Sequence, residues 1–191
     1  VFLDNVLQFF IDNAGDEISK ARYSAQQERS LGLGAMGLHS YFQKNSIAFD
    51  SQAAIDANEE IFSTIKQKAV EATLDMGRRR GEAPDMKGTG RRNAHMLAIA
   101  PNANSSMIVD TSPSIEPWKA NAFTSRTRVG SHLNKNPHLE KILETIGKNT
   151  DEVWSTIITS GGSVQHLDFL DDHVKNVFKT AIELNQLVLI K

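Results

Sequence analysis

Residues 100–106 are Ala-Pro-Asn-Ala-Asn-Ser-Ser, and these types at this spacing suit the capture of an anion. An apolar run, His95 to Ala100, stops at Pro101; small and amide-bearing side chains follow, then the apolar pair Met107-Ile108. This order predicts a strand, a tight turn and a helix start, where backbone N–H groups lack intrahelical acceptors. Such groups draw in an oxyanion, because they point outward and the helix dipole is positive there. Asn104, Ser105 and Ser106 can add side-chain hydrogen bonds, and all are small enough to let a phosphate reach the backbone. The same residues also suit an ordinary helix cap, since Asn and Ser are favoured at that position in any case.

Other chemistry-bearing residues say less. The six histidines show no ligand-like HxH or HxxxH pair and are expected to be surface or hydrogen-bonded structural residues. Glu116 is better explained by bonds to loop amides, or by pairing with Arg126 or Arg128, than by acid–base work. Lys119 and Arg126 could lie near a diphosphate or simply be solvated. Gly32 to Gly37 echoes a GxGxxG dinucleotide loop, yet polar residues 24–30 stand where a strand is required. Cysteine is absent, which excludes disulfides, thiolate metal sites and any cysteine nucleophile or thiyl radical on this chain.

The elements that must position these residues follow from periodicity and punctuation. With 191 residues, 40% of them hydrophobic, the chain can bury one good-sized core. A net charge of −2 gives no electropositive face for nucleic acid, and no apolar run approaches the ~20 residues that span a bilayer. No basic-then-apolar leader opens the chain, so a cytoplasmic setting is expected. Helices are predicted near 2–14, from a glycine-rich entry to about Gln43, and from Asp50 or Ser51 to the arginines before Gly81. Residues 82–94 are expected as a loop and His95–Ala100 as a strand buried on both sides. Further helices are predicted after Asn136-Pro137, after Thr150 up to Gly161-Gly162, and from Asp171 through Ile182. The apolar starts and ends, Val1-Phe2-Leu3 and Leu187–Lys191, look cut, as in a piece of a larger assembly.

Three stretches, Arg29–Leu38 (RSLGLGAMGL), Arg92–Ile108 (RNAHMLAIAPNANSSMI) and Ser114–Thr124 (SIEPWKANAFT), together resemble the large, catalytic subunit of class I ribonucleotide reductase. The type is similar to the enzymes of bacteria and their large phages. The resemblance implies an α/β fold, part of a ten-stranded α/β barrel, with this segment mainly α-helical and holding one to three short strands. All of residues 1–191 would be a partial catalytic barrel domain, truncated at both ends. It implies reduction of ribonucleoside diphosphates to 2′-deoxyribonucleoside diphosphates, with Pro101, Asn102, Ala103, Asn104 and Ser105 matching the loop that binds the substrate diphosphate. That favours the anion reading over the plain cap.

For the complete enzyme the resemblance implies ATP and dNTP effectors, a radical-bearing metal cofactor in a small subunit, and a thioredoxin- or glutaredoxin-type reductant. Partners would be the remaining part of the large subunit and the small subunit, with the complete large subunit a homodimer. No metal, catalytic residue or cofactor is expected on this segment, because the family's radical finger loop, redox cysteines and tyrosine pair have no counterpart in it. Alone it should hold substrate without turning it over. Two other readings stay open on the residues themselves: a phosphate-binding module without catalysis, and a helical interaction module.

Overall fold

Helices dominate because most apolar residues recur three or four positions apart and few prolines interrupt them. The computed structural model describes residues 1–127 and 130–190. Helices α1 (Phe2–Asn13), α2 (Ser19–Glu28), α3 (Leu38–Lys44), α4 (Gln52–Arg80) and α5 (Ala103–Ile108) come first. An antiparallel hairpin of β1 (Ala122–Thr127) and β2 (Gly130–Lys135) follows, in register from Ala122–Lys135 to Thr127–Gly130. The remaining α-helices among the described residues are α6 (Pro137–Thr145), α7 (Asp151–Thr159), α8 (Asp172–Val177) and α9 (Gln186–Ile190). The chain divides into two units, residues 1–34 with 59–100, and residues 35–58 with those from 101 onward.

The first unit is organised around a buried charge. Asp4 of α1 is fully buried, and its carboxylate accepts from Arg29 Nε at 3.1 Å and Arg80 Nη1 at 2.8 Å. Arg92 Nε lies 3.4 Å from the same carboxylate. Burial opposes the charge, but the bonds from Arg29 and Arg80 and the field of Arg29 and Arg92 hold this carboxyl below the usual carboxylate range. Asn93, also fully buried, donates to Arg29 O at 2.9 Å, and its backbone N–H donates to Thr73 Oγ1 at 2.9 Å. Of the three arginines expected to decorate the end of α4, Arg78 and Arg79 pair with Asp75 and only Arg80 reaches Asp4.

In the second unit, Leu139 and Leu143 of α6 and Trp154 and Ile157 of α7 form a core with Val164, Leu167, Val177 and Phe178. The expected caps hold this unit's helices in place. Asn136 Oδ1 accepts from His138 N at 3.0 Å, Thr150 Oγ1 from Val153 N, and Asp171 Oδ1 from Val174 N at 2.8 Å.

Three expectations need correction. His95–Ala100 is not a buried strand: Leu97 and Ile99 are exposed, and only an isolated parallel bridge joins Leu33 to Leu97. Among the described residues this stretch has one backbone neighbour, which leaves its second edge unpaired, and only Met96 and Ala100 are half-buried. The helix from Asp171 stops at Val177 rather than running to Ile182, because Asn121 Nδ2 takes Phe178 O at 2.7 Å and Ala181 N donates to Trp118 O. The spacing of Ile55, Phe62, Ile65, Ala69, Ala72 and Met76 predicts one apolar stripe along α4, but Ile55 and Ala72 are exposed and Thr73 is buried instead.

Candidate phosphate-binding loop

Asn102 has left-handed backbone (φ 48°, ψ 32°), a conformation that Asn tolerates better than most residues, and it turns the chain into α5. The first helical bond runs from Ser106 N to Asn102 O at 3.0 Å. The amides of Ala103, Asn104 and Ser105 precede that bond and have no acceptor among the described residues. Pro101, Ala103, Asn104 and Ser105 are exposed and Asn102 is half-buried, so no side chain plugs the turn. The Asn102 side chain makes no cap bond, which leaves it free for a ligand. Six residues carry little macrodipole, so the local amides provide most of any attraction for an anion.

The far side of the loop is anchored. Ser106, almost fully buried, donates through Oγ to Ala103 O at 2.9 Å, and its carbonyl accepts from Thr111 N at 3.0 Å. Ser112 N then donates to Ser40 Oγ at 2.8 Å while Ser40 N donates to Ser112 Oγ at 3.1 Å. Gly37 N reaches Ser112 O at 2.8 Å. Gly37 has φ +86°, and a Cβ there would lie 2.5 Å from Thr111 Oγ1, so both backbone and space require glycine.

His39, next on α3, is wholly buried. Trp118 N donates to its Nδ1 at 2.8 Å, which leaves Nε2 protonated and facing Val177 O at 3.4 Å. Burial pushes this imidazole down to about 4, so it is neutral at physiological pH and ties α3 to the Ser114–Trp118 stretch. A small cleft of about 40 Å³ beside the loop is lined by Ser106, Asp110, Thr111, Trp118 and Asn121. That volume is well below the roughly 300–1,000 Å³ of a small-molecule pocket.

Among the described residues, the remaining candidates make no hydrogen bond to the loop. Glu116 is exposed and makes no ion pair with Arg126, while Arg128 lies outside the described residues. Neither Lys119 nor Arg126 bonds to residues 101–105. Several histidines make structural bonds, such as His95 with Ser30, His166 with Thr156 and His173 with Ser46, and no metal-binding cluster occurs among the described residues. Helix α2 precedes Gly32–Gly37, so no dinucleotide loop forms. These glycines instead permit close backbone approach: a Cβ on Gly34 would lie 2.6 Å from Ala98 O. His39 is the hydrogen-bonded structural histidine that the sequence led one to expect, whereas Ser40 and Ser112 were not foreseen as supports, and only their polarity marks them.

A family model described as the ribonucleotide reductase barrel domain matches residues 2–89 and 83–191. A relative from Frog virus 3 (isolate Goorha) is 50% identical over 99% of this chain and 34% of its own length. The ribonucleoside-diphosphate reductase large subunit of Invertebrate iridescent virus 3 is 48% identical over 99% of this chain and 31% of its own. The chain thus spans about a third of the length of these curated relatives. A solved structure, the Actinobacillus ureae class Id ribonucleotide reductase alpha subunit, aligns with TM-score 0.88 and 43% identity over 99% of this chain and 35% of that one. The expected kinship with bacterial enzymes is met by this structure, whereas the curated relatives just described are viral.

Proposed function

This chain belongs to the ribonucleotide reductase barrel-domain family, and on that footing we propose that its Pro101–Ser105 loop holds the diphosphate of a ribonucleoside diphosphate during reduction to the 2′-deoxy form. The observation that carries the reading is the set of acceptor-free amides at Ala103, Asn104 and Ser105 on an exposed turn whose far side is anchored. Asn102, Asn104 and Ser105 add side-chain donors, and Pro101 ends the preceding run so that the turn projects. Each of these groups would bind and orient the substrate. The chain has no thiol, so hydrogen abstraction and reducing equivalents come from other segments of the large subunit.

The proposal extends to the complete enzyme: a homodimeric large subunit with nucleotide effectors, a small subunit holding the radical-bearing metal cofactor, and a thioredoxin- or glutaredoxin-type reductant. No described helix is long and apolar enough to cross a membrane, and a cytoplasmic setting suits a chain without cysteine. Family membership displaces the readings as a stand-alone phosphate module or a helical interaction protein.

The test is equilibrium binding of nucleoside diphosphate to the full-length large subunit carrying Asn104→Ala with Ser105→Ala. Each lost bond to the charged group should weaken binding by about 1.5–3 kcal/mol, with the backbone donors leaving a residual affinity. An unchanged Kd would remove the loop from the substrate site.

A further inference from the structure

An open cleft of about 260 Å³ lies between α3, α6 and α8, apart from the loop residues 101–105. Its lining includes Gln43, Lys44, His138 and Lys141, over an apolar floor of Ile142, Val177 and Phe178. Gln43 is 4% exposed, yet its Nε2 has no hydrogen-bond partner. Leaving a buried amide donor unmet is costly, so its orientation matters.

That orientation is fixed by a chain of bonds. Asn136 must turn Oδ1 toward His138 N and Leu139 N to cap α6, which aims its Nδ2 at Asn121 Oδ1 (3.0 Å) and Gln43 Oε1 (2.9 Å). Flipping the Gln43 amide would set two donors face to face. Gln43 therefore keeps Oε1 on Asn136, and Nε2 is left as a spare donor on a residue of the cleft wall.

The charged side chains that line it, Lys44 and Lys141, are both cationic, and Asp110 is the one carboxylate that acts on His138. Lys44 and Lys141 are exposed and make no ion pair among the described residues. Burial, with the fields of Lys141 and then Lys44, holds the His138 imidazole below its ordinary range, against the opposing pull of Asp110. Two unneutralised ammonium groups and one buried amide donor beside an apolar floor form the complement of a small amphipathic anion.

We propose that this cleft is a second ligand site, taking an oxyanion joined to a compact apolar group, the oxyanion on Gln43 Nε2, Lys44 and Lys141 and the apolar part on Ile142, Val177 and Phe178. The site is independent of the diphosphate loop.

Saturation-transfer NMR and calorimetry on the full-length large subunit test it with sodium benzoate, phenyl phosphate and benzyl alcohol. The first or second should bind saturably in the millimolar range, and the neutral alcohol at least tenfold more weakly. Benzoate alone binding identifies a carboxylate ligand, phenyl phosphate alone a phosphate monoester; either supports the site. Lys44→Glu with Lys141→Glu touches only exposed side chains and should weaken the anion at least tenfold. Gln43→Glu, nearly isosteric and still able to accept from Asn136, should do the same. Asn104→Pro should leave this binding intact, which separates it from the loop. The proposal is overturned if no probe saturates, if the alcohol binds as well as the anions, or if neither cleft variant changes their binding.

Discussion

Ser40 and Ser112, 72 residues apart, bond each other twice, each backbone N–H donating to the other's hydroxyl oxygen at 2.8 and 3.1 Å. Both side chains are buried, and Ser112 lies beyond α5, so the pair ties α3 to the segment by which the chain leaves the candidate loop. In Ser40→Ala the Ser112 N–H would stay buried without an acceptor, at a cost of about 1–3 kcal/mol. Urea unfolding should show that loss. Steady-state kinetics of the full enzyme should show KM for nucleoside diphosphate rising more than kcat falls, because the substitution loosens binding and leaves the reacting atoms alone.

Asn104→Pro tests the backbone donors themselves. Asn104 is the second residue of α5, and its N–H serves no helical bond. Proline removes that donor and biases Ala103 away from helical backbone, without breaking an existing hydrogen bond. Nucleoside-diphosphate affinity should fall by more than in the Asn104→Ala single variant while the unfolding midpoint moves little. Equal losses in the two variants would mean that the side chain, not the amide, holds the ligand.

His39 makes stability depend on pH. Its folded value of about 4 lies below the unfolded imidazole's 6.5, so between those values the unfolded state binds more protons. The contribution is fully present above the unfolded value and is lost as pH falls from 6.5 toward 4. Going from about pH 7.5 to about pH 5 should cost about 2 kcal/mol from this residue. His39→Phe should be less stable at neutral pH, having lost the Trp118 and Val177 bonds, and should lack this acid-side slope in chemical denaturation.

Asp4→Asn should be severe because Asp4 is fully buried. The substitution keeps size but leaves Arg29 and Arg80 facing a neutral amide, and breaking one partner of a buried ion cluster costs about 3–5 kcal/mol. Thermal unfolding of Asp4→Asn beside the exposed control Asp12→Asn measures the difference; equal midpoints would show the cluster to be inert.

What could be read from the residues was what depends on near neighbours. Asn136, Thr150 and Asp171 announced their helices because a cap is satisfied within three positions, and Gly161-Gly162 announced a break through its need for positive φ. The loop's turn was legible for the same reason, although the partners of Ser40 and His39 were not. Their partners lie 72 and 79 residues away, and no local pattern encodes such a pairing. His95–Ala100 misled because apolar composition signals a strand's tendency, while its pairing requires neighbours that the described chain supplies only at Leu31 and Leu33. The hairpin of β1 and β2 was missed because its polar residues, such as Ser125, His132 and Asn134, obscure the alternation of a half-buried strand.

The centre around Asp4 also dictates when the first unit can come together during synthesis. Its members arrive far apart: Arg29 follows Asp4 by 25 residues, Arg80 by 76 and Asn93 by 89. Helix α1 can coil early, but its carboxylate stays hydrated until the last of these has left the ribosome, since closing so long a loop gains nothing before its end is present. Until then α1 can lean only on α2, and the charge at Asp4 holds the helix open to water rather than sealing it.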